Sequence, residues 1–551
     1  MNTDSREGRN LKGLLADWSR TVAGSSLPQP PEYEGPDAWL TYLTEKTSDV
    51  TPGACFVARV RETSDGHPYI GQALANGAVM ILAQKAVEEI DVVIPEGVVY
   101  LQVRDTAIAS AWLAAAWEGF PSRQLVMIGV TGTDGKTTTA NILLALLRAA
   151  NYRTGLLSTT RAVIGDDVEA LELHVTTPEA PVVQHHLRRM VDAGLTHCIL
   201  EATSHGLAQH RVSAIDFDLA VVTNITHEHL DYHGDFEQYL AAKSRLFQAL
   251  AADKWQAVSD NPAKRRQVKT AVLNRDDASF TKLSAIAAPQ QVSYGITSQA
   301  DIVATDIAYA VDQTRFKVQL NEHLTPSSPA ELLISSPLPG KFNVYNTVAA
   351  ISAALAAGVG EDAIIEGLEQ LDPIDGRMER IECSRPYTVI VDFAHTPNAL
   401  LQAIGAARSM TDGRVITVIG SAGKRDISKR TQMAQISAQQ ADLTVLTAED
   451  PRTESLDDIL QTMSAGSRQA GAVEGQTFWR IRDRGKAIYF ALTLAEPGDL
   501  VLICGKGHEQ SMCFGTTEYP WDDRAATKKA LEALAAGRPM LDLGLPTFSD
   551  T

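Results

Sequence analysis

A chain of 551 residues is too long for one ordinary hydrophobic core, so two to four domains are expected and three is the working count. With 44% apolar and 21% charged residues, and no apolar run near the ~20 residues of a membrane span, the composition is that of a soluble globular protein without membrane insertion. A net charge of -18 argues against nucleic-acid binding, so any anionic substrate has to be held by local clusters of Arg, Lys and backbone N–H groups.

The opening "MNTDSREGRNLKGLLADW" has mixed charge and no signal-peptide core, which argues against export. The five cysteines, Cys55, Cys198, Cys383, Cys504 and Cys513, lack metal spacing and point to reduced, buried thiols in the cytoplasm. To about Pro121 the chain has a Pro-rich patch, "SLPQPPEYEGP", and mixed short elements. From Gln124 strand-like runs alternate with helix-length segments: "LVMIGV", a long helix from Lys136, then "HCILEA", "LAVVTNI", "WQAVSD" and "TAVLN". Residues 299–336 read as β-rich, with "DIVATDIAYAV" and "RFKVQL". After "LDPIDGRMERIE" a second α/β series runs through "TVIVDFAH", "RVITVIG", "LTVLTAE" and "DLVLICG", and the tail "RPMLDLGLPTFSDT" reads as loose. The fold class is therefore α/β with parallel sheets.

"IGVTGTDGKTTTANILLALLRAA" sets a Gly-rich turn between a strand and a helix. Backbone N–H groups and the helix N-terminus can cradle phosphates there, Lys136 can neutralise them, and the Thr137 hydroxyl can reach Mg²⁺. The usual spacing would place a glycine at position 130, where this chain has Val130, so the loop is a shorter variant. Glu201 ends the run "HCILE", from which a carboxylate can face the loop as a further hard ligand; a strand-end cap is the blander reading.

Downstream, "NITHEHLDYHGDFEQYLAAKSRLF" gathers His227, Glu228, His229, Asp231 and His233. A zinc hydrolase would place its second histidine directly after the aspartate, where Tyr232 stands, and would have no use for a phosphate loop. His229 is better read as a ligand of a second divalent ion, with His227, Asp231 and His233 as hydrogen-bonding supports or local caps. "GKRDISKR", 423–430, is either an anion-holding cluster or a solvated helix start.

"TGTDGKTTT", "TTPEA", "EATSHGLAQHR", "TNITHEHLDYHG", "YLAAKSRLF", "GKFNVYNTVAA", "GRMERI", "VDFAHTPNAL", "EDPR" and "GKGHE" follow one another in the order found in the Mur ligases. The chain resembles that family over nearly its whole length, and within it the enzymes that add the third amino acid to UDP-N-acetylmuramoyl-L-alanyl-D-glutamate. The resemblance implies an N-terminal UDP-binding α/β domain (1–121), a central P-loop ATPase domain with a parallel sheet (122–372) and a C-terminal Rossmann-like domain that receives the amino acid (373–551). ATP, with two Mg²⁺ ions, would phosphorylate a carboxylate that the incoming amine then attacks. By resemblance, Gly132, Thr133, Asp134, Gly135, Lys136, Thr137 and Thr138 form the phosphate loop. Asn343 and Asn346 lie on the adenine side, and Arg377 and Asp392 meet the phosphates and ribose, so that catalysis depends on domain closure; His395 supports the Asp392 turn. Thr137 and Glu201 would serve one metal and His229 the other, with Lys243, as a carbamate, bridging them; catalysis would rest on Lys136, Glu201, His229 and Lys243. Thr176, Thr177, Thr203, Gln209 and Arg211 match the family's contacts to the UDP-sugar peptide. The N-terminal pattern departs: "KTSDVTPG" puts Thr47 where relatives have serine and lacks their arginine, leaving Thr47, with Glu62, Thr63 and Ser64, on the uridine side.

The amino-acid pocket by resemblance comprises Arg425, Glu449, Asp450, Arg452, Gly505 and Glu509. Diaminopimelate-adding relatives carry Asp-Asn-Pro-Arg where this chain has "EDPR". Arg452 suits a substrate with a second carboxylate, whereas Asp450 in place of Asn suits a side chain ending in an ammonium, such as lysine or ornithine. The balance favours diaminopimelate. Rival readings are a folylpolyglutamate synthetase-like ligase, which usually has GKGS where this chain has GKTT, a metal-dependent hydrolase, and a silent binding subunit. The expected partners are small molecules, and the expected state is a cytoplasmic monomer.

Overall fold

The computed structural model describes residues 8–61, 64–159, 161–170, 177–226, 228, 230–251, 255, 259–310, 313–321, 331–425 and 427–549. It divides into two compact units, Met1–Tyr294 with Ile351–Gly360, and Gly295–Ala350 with Glu361–Thr551.

Among the described residues the first unit holds two short two-stranded pairs, Arg9–Asn10 with Trp39–Leu40 and Val60–Arg61 with Ser64–Asp65, and two large sheets. In the N-terminal one, β1 (Tyr42–Thr44), β2 (Ala54–Val57), β3 (Met80–Ala83) and β4 (Val99–Gln102) pair in parallel in chain order. Helix α1 (Thr106–Trp117) is apolar on nearly every face, and nine of its residues are buried, the pattern of a helix enclosed by the core rather than lying on it. Asp105 caps it by accepting the Ala107 and Ile108 N–H groups. Trp112 stacks on Trp18 and on Trp255, with ring centroids 5.8 and 5.2 Å apart.

The second sheet of this unit comes from β5 (Val126–Thr131), β6 (Thr154–Leu157), β7 (Arg161–Ile164), β8 (Asp167–Ala170), β9 (His197–Glu201), β10 (Leu219–Val222), β11 (Thr270–Asn274) and β12 (Gln290–Gly295). They lie in the order β8-β7-β6-β9-β5-β10-β11-β12, and every pairing is parallel except the two that β7 makes, with β6 and with β8. β5 reads VMIGVT without alternation because both of its faces are covered and every residue is buried. The phosphate loop leaves its C-terminal end at mid-sheet, the edge where open parallel sheets receive ligands. It enters α2 (Lys136–Ala149); α3 (Phe236–Ala251) carries Lys243. The expected strand at 255–260 falls mostly outside the described residues.

In the second unit β13 (Ile302–Tyr309), β14 (Thr314–Leu320) and β15 (Glu331–Ser336) form an antiparallel meander. β14 alternates, with Thr314, Phe316, Val318 and Leu320 inward, as a strand with one wet face should. The other sheet runs β16 (Glu379–Ile381), β17 (Thr388–Asp392), β21 (Leu500–Cys504), β18 (Val415–Ile419), β19 (Leu443–Leu446), β20 (Phe478–Arg480) in space, with only β16 antiparallel. A hairpin, β22 (Ser511–Phe514) and β23 (Thr517–Pro520), follows.

Two expectations change. The tail is docked rather than loose: Met540 and Leu545 are buried, and Thr547 donates to Asp483 at 3.0 Å, because its apolar residues and one hydroxyl find partners on the helix that Asp483 caps. Of the cysteines, Cys55, Cys198 and Cys504 are buried free thiols, but Cys383 and Cys513 are partly exposed. Among the described residues no helix is long and apolar enough to cross a membrane.

Candidate active site

The phosphate loop is held by the strand beside it. Thr133 and Asp134 donate their backbone N–H groups to the Asn224 carbonyl and side-chain oxygen, at 2.7 and 3.1 Å. Gly132 has φ +150°, and a Cβ there would lie 1.9 Å from Thr223 Oγ1, so only glycine lets the loop lie against β10's exit. Gly135 precedes α2, whose first turn brings Lys136, Thr137 and Thr138 to the loop. Lys136 Nζ donates to the Gly132 and Thr133 carbonyls at 3.0 and 2.8 Å. Thr137 Oγ1 donates to Glu201 Oε2 at 3.0 Å, and Thr159, a residue the sequence reading missed, donates to the same oxygen at 3.1 Å. Glu201 ends β9 as expected and is 1% exposed.

Lys243 is wholly enclosed, and its Nζ donates to Gly132 O at 2.7 Å, the oxygen that Lys136 also reaches. Burial first, then the Lys136 charge, pushes its pKa well below the ordinary lysine value. Its ammonium sits 4.6 Å from the Tyr239 ring centroid, and Tyr239 OH pairs with Thr133 Oγ1 at 3.0 Å. Tyr239 went unread in the sequence, although its position one helical turn before Lys243 was a signal. His227 and His229 lie outside the described residues, as does the Asp231 side chain. His233 is buried against the rings of His205, Tyr232 and Tyr239, a packing role.

A second group adjoins. Thr177 Oγ1 donates to the Glu201 carbonyl and pairs with Thr203 Oγ1, both at 3.0 Å. Arg211 donates to the Thr177 carbonyl at 2.6 Å and to Gln209 Oε1 at 2.7 Å. Around Gln209 a ring of ions closes that the sequence did not reveal. Arg211 meets Glu179 at 3.0 Å, Glu179 meets Arg61 at 3.4 Å, and Arg61 meets Glu45 at 2.6 Å. Arg59 then lies 3.7 Å from Glu45 and donates to the Gln209 carbonyl at 2.6 Å. Burial and the neighbouring Glu179 raise the Glu45 carboxyl's pKa. Arg59 and Arg61 thus bring cations from the N-terminal segment whose expected arginine is missing. Thr63, Glu62 and Thr176 lie outside the described residues; Thr47 is half-buried and accepts from Asn76 through its carbonyl, and Ser64 is exposed.

In the second unit Asn346 donates to Asn343 Oδ1 at 3.0 Å, and Asn343 donates to the Pro339 carbonyl at 2.8 Å. Asp392 accepts the Met378 and Ala394 N–H groups at 2.7 and 2.8 Å, while the Arg377 guanidinium lies 4.5 Å from the Phe393 ring centroid. His395 pairs with the Phe393 carbonyl at 3.1 Å, inside the turn it was expected to support.

The loops leaving β19 and β21 bring Glu449, Asp450, Gly505 and Glu509 together, and Arg452 is tied by its backbone to Cys513 and Gly515. Gly505 has φ +117°, and a Cβ would stand 2.4 Å from Glu449 Oε2. Burial, then Asp450, pushes the Glu449 pKa up to about 7 against the pull of Arg484 and Lys506. Asp450 accepts from Lys506 Nζ at 2.8 Å, and Lys506 reaches Glu509 at 2.5 Å; Lys506 was not singled out in the sequence. Arg425, expected here, is exposed and has no hydrogen bond or ion pair among the described residues. In the "GKRDISKR" stretch Arg430 pairs with Glu454 at 2.8 Å, an internal tie that uses up one of its cations.

Residues 130–354 match the Mur ligase middle domain, and residues 376–507 match the Mur ligase glutamate ligase domain. A UDP-N-acetylmuramyl-tripeptide synthetase of Roseiflexus sp. (strain RS-1) is 41% identical over 89% of this chain and 94% of its own. The chain belongs to the Mur ligase family. A UDP-N-acetylmuramoyl-L-alanyl-D-glutamate–2,6-diaminopimelate ligase of Bacillus licheniformis is 37% identical over 92% of this Mur ligase and 97% of its own length. A solved structure of a ligase with that same description is 28% identical, with a TM-score of 0.61 over 92% of this chain and 98% of that one. This Mur ligase is an ATP-dependent amino-acid ligase of three-domain α/β architecture, similar to the third-residue ligases of peptidoglycan synthesis.

Proposed function

We propose that this third-residue ligase couples meso-diaminopimelate to the D-glutamate γ-carboxylate of UDP-N-acetylmuramoyl-L-alanyl-D-glutamate by way of an acyl phosphate. The observation that carries the reading is the meeting of Lys136, Thr137, Glu201 and Lys243 at one loop. A carboxylate resists amines until one of its oxygens becomes a leaving group. A carboxylate oxygen attacks the γ-phosphorus and ADP leaves; the amine then attacks the acyl carbon, and the carbon–oxygen bond to phosphate breaks. Lys136 and the loop N–H groups hold the phosphates, and a fixed cation beside the transferring group stabilises the charge it gathers.

The hydroxyl of Thr137 and the carboxylate of Glu201 are hard oxygen donors on one spot and fit Mg²⁺. They would hold one ion and His229 a second, with Lys243 bridging as its carbamate; bound Mg²⁺ would offset charge on the transferring phosphoryl. An enclosed lysine crowded by Lys136 sheds its proton readily, and the neutral amine is the form that captures carbon dioxide. Thr177, Thr203, Gln209 and Arg211 are assigned to the UDP-sugar peptide, as are Thr47, Thr63 and Thr176. Asn343, Asn346, Arg377 and Asp392 are assigned to the nucleotide. The domains are taken as 1–121, 122–372 and 373–551, and the enzyme as a cytoplasmic monomer, where ATP and UDP-linked precursors are made.

Diaminopimelate is preferred because the Arg452 guanidinium has no ion-pair partner among the described residues and suits a distal carboxylate. Asp450 supports a second reading, lysine or ornithine. Phosphate release, assayed with each of the three amino acids, tests both. It should require the UDP-dipeptide and an amino acid together, with diaminopimelate fastest. Release without the UDP-dipeptide would contradict the ligase reading, and faster turnover of lysine or ornithine would replace the amine.

A further inference from the structure

The loop after β19 carries a negative charge at Asp450 that is already engaged from within the protein. Asp450 Oδ1 accepts from Lys506 Nζ at 2.8 Å and from the Cys513 N–H at 3.0 Å. The same Nζ lies 2.5 Å from Glu509 Oε2, and the Lys506 side chain is 2% exposed. One enclosed ammonium from the loop after β21 therefore stands between the two carboxylates that would otherwise read a substrate's side-chain ammonium. Two residues on, the Arg452 backbone is fixed to the hairpin, donating to Cys513 O at 3.0 Å and accepting from the Gly515 N–H at 2.7 Å. Asp450 and Arg452 both have left-handed backbones, φ +40° and +53°, so the loop is held in one shape by these ties.

We propose that Lys506 is a specificity-determining positioning residue: by neutralising Asp450 and Glu509 it sets the pocket's preference between an amine that bears a second carboxylate and one that ends in an ammonium alone. The proposal rests on the reading of these loops as the amino-acid pocket. With Lys506 in place, its ammonium offsets the charges of Asp450 and Glu509, and the Arg452 cation lies two residues on in the same loop. Removing Lys506 leaves the pocket acidic and favours lysine or ornithine. Exchanging Asp450 for asparagine leaves it basic and favours diaminopimelate. Lys506 is 2% exposed, against 18% for the Asp450 side chain and 40% for that of Glu509, so the pair is only partly screened and one unit of charge shifts discrimination.

The test is kcat/KM for diaminopimelate, lysine and ornithine in the full-length enzyme, Lys506→Met, Asp450→Asn and the double variant. Lys506→Met should raise the ratio of lysine or ornithine to diaminopimelate about tenfold or more, and Asp450→Asn should lower it by a similar factor. The double variant should return to within about threefold of the parent, and KM for ATP should not move in any of them. Ratios unchanged in Asp450→Asn overturn the proposal even if Lys506→Met fails to fold, because that variant keeps the lysine. A parent enzyme that uses none of the three amino acids removes the pocket reading itself, and this proposal with it.

Discussion

Lys136 and Lys243 direct their ammonium groups at one carbonyl, that of Gly132, and two like charges on one oxygen inside a buried loop are costly unless one is discharged. That conflict is the physical ground for the proposed carbamate on Lys243. Lys243→Ala should lower turnover by about 10² to 10³, the usual loss when one fixed electrostatic contribution to the transition state goes. Added bicarbonate should not restore it, since the amine is gone, whereas a short carboxylic acid should restore part; full activity in the variant would remove the bridge. Single residues were legible where chemistry and position coincided. Glu201 at the end of a buried run and Lys136 after a Gly-rich turn were expected at the loop from position alone, and the structure places both there. Tyr239 and Lys506 were not, since an aromatic at helical spacing is usually core, and Lys506 gains its meaning only from Asp450, fifty-six residues away in the chain.

The loops of the proposed amino-acid pocket rest on one enclosed ion pair. Arg484, at the start of the helix Arg484–Leu494, is bidentate to Asp523 at 2.6 and 2.7 Å, and both side chains are 0% exposed. The same guanidinium donates to the carbonyls of Ala448 and Cys504, at the roots of the two pocket loops. Arg484→Met strands the Asp523 charge and should cost about 3–5 kcal/mol, read from the denaturant midpoint. Replacing both partners by apolar residues should recover much of the loss; an unchanged midpoint in the single variant would contradict the anchoring role. At this scale parallel strands were legible as unbroken apolar runs, and β14 by alternation, because burial on two faces or one dictates those patterns. The docked tail was not legible: its anchors, Met540, Leu545 and Thr547, are spaced irregularly, and their partners lie far back in the sequence.

For the molecule as a whole, the net charge of -18 requires that its anionic substrates be gathered by local positive charge. The ring of Arg59, Arg61 and Arg211 with Glu45 and Glu179 supplies an excess of cations beside the Thr177–Thr203 pair, and Lys136 with the loop N–H groups supplies the other cluster. Length and alternating pattern led to an expectation of three domains, but not that the N-terminal sheet and the phosphate-loop sheet would share one compact unit through such contacts. The proposed chemistry requires that the γ-carboxylate be phosphorylated before the amine attacks it. Oxygen-18 in that carboxylate, followed into the phosphate released on turnover, reads this step. Each phosphate formed should carry one labelled oxygen; phosphate free of label, with product still made, would rule out the acyl phosphate.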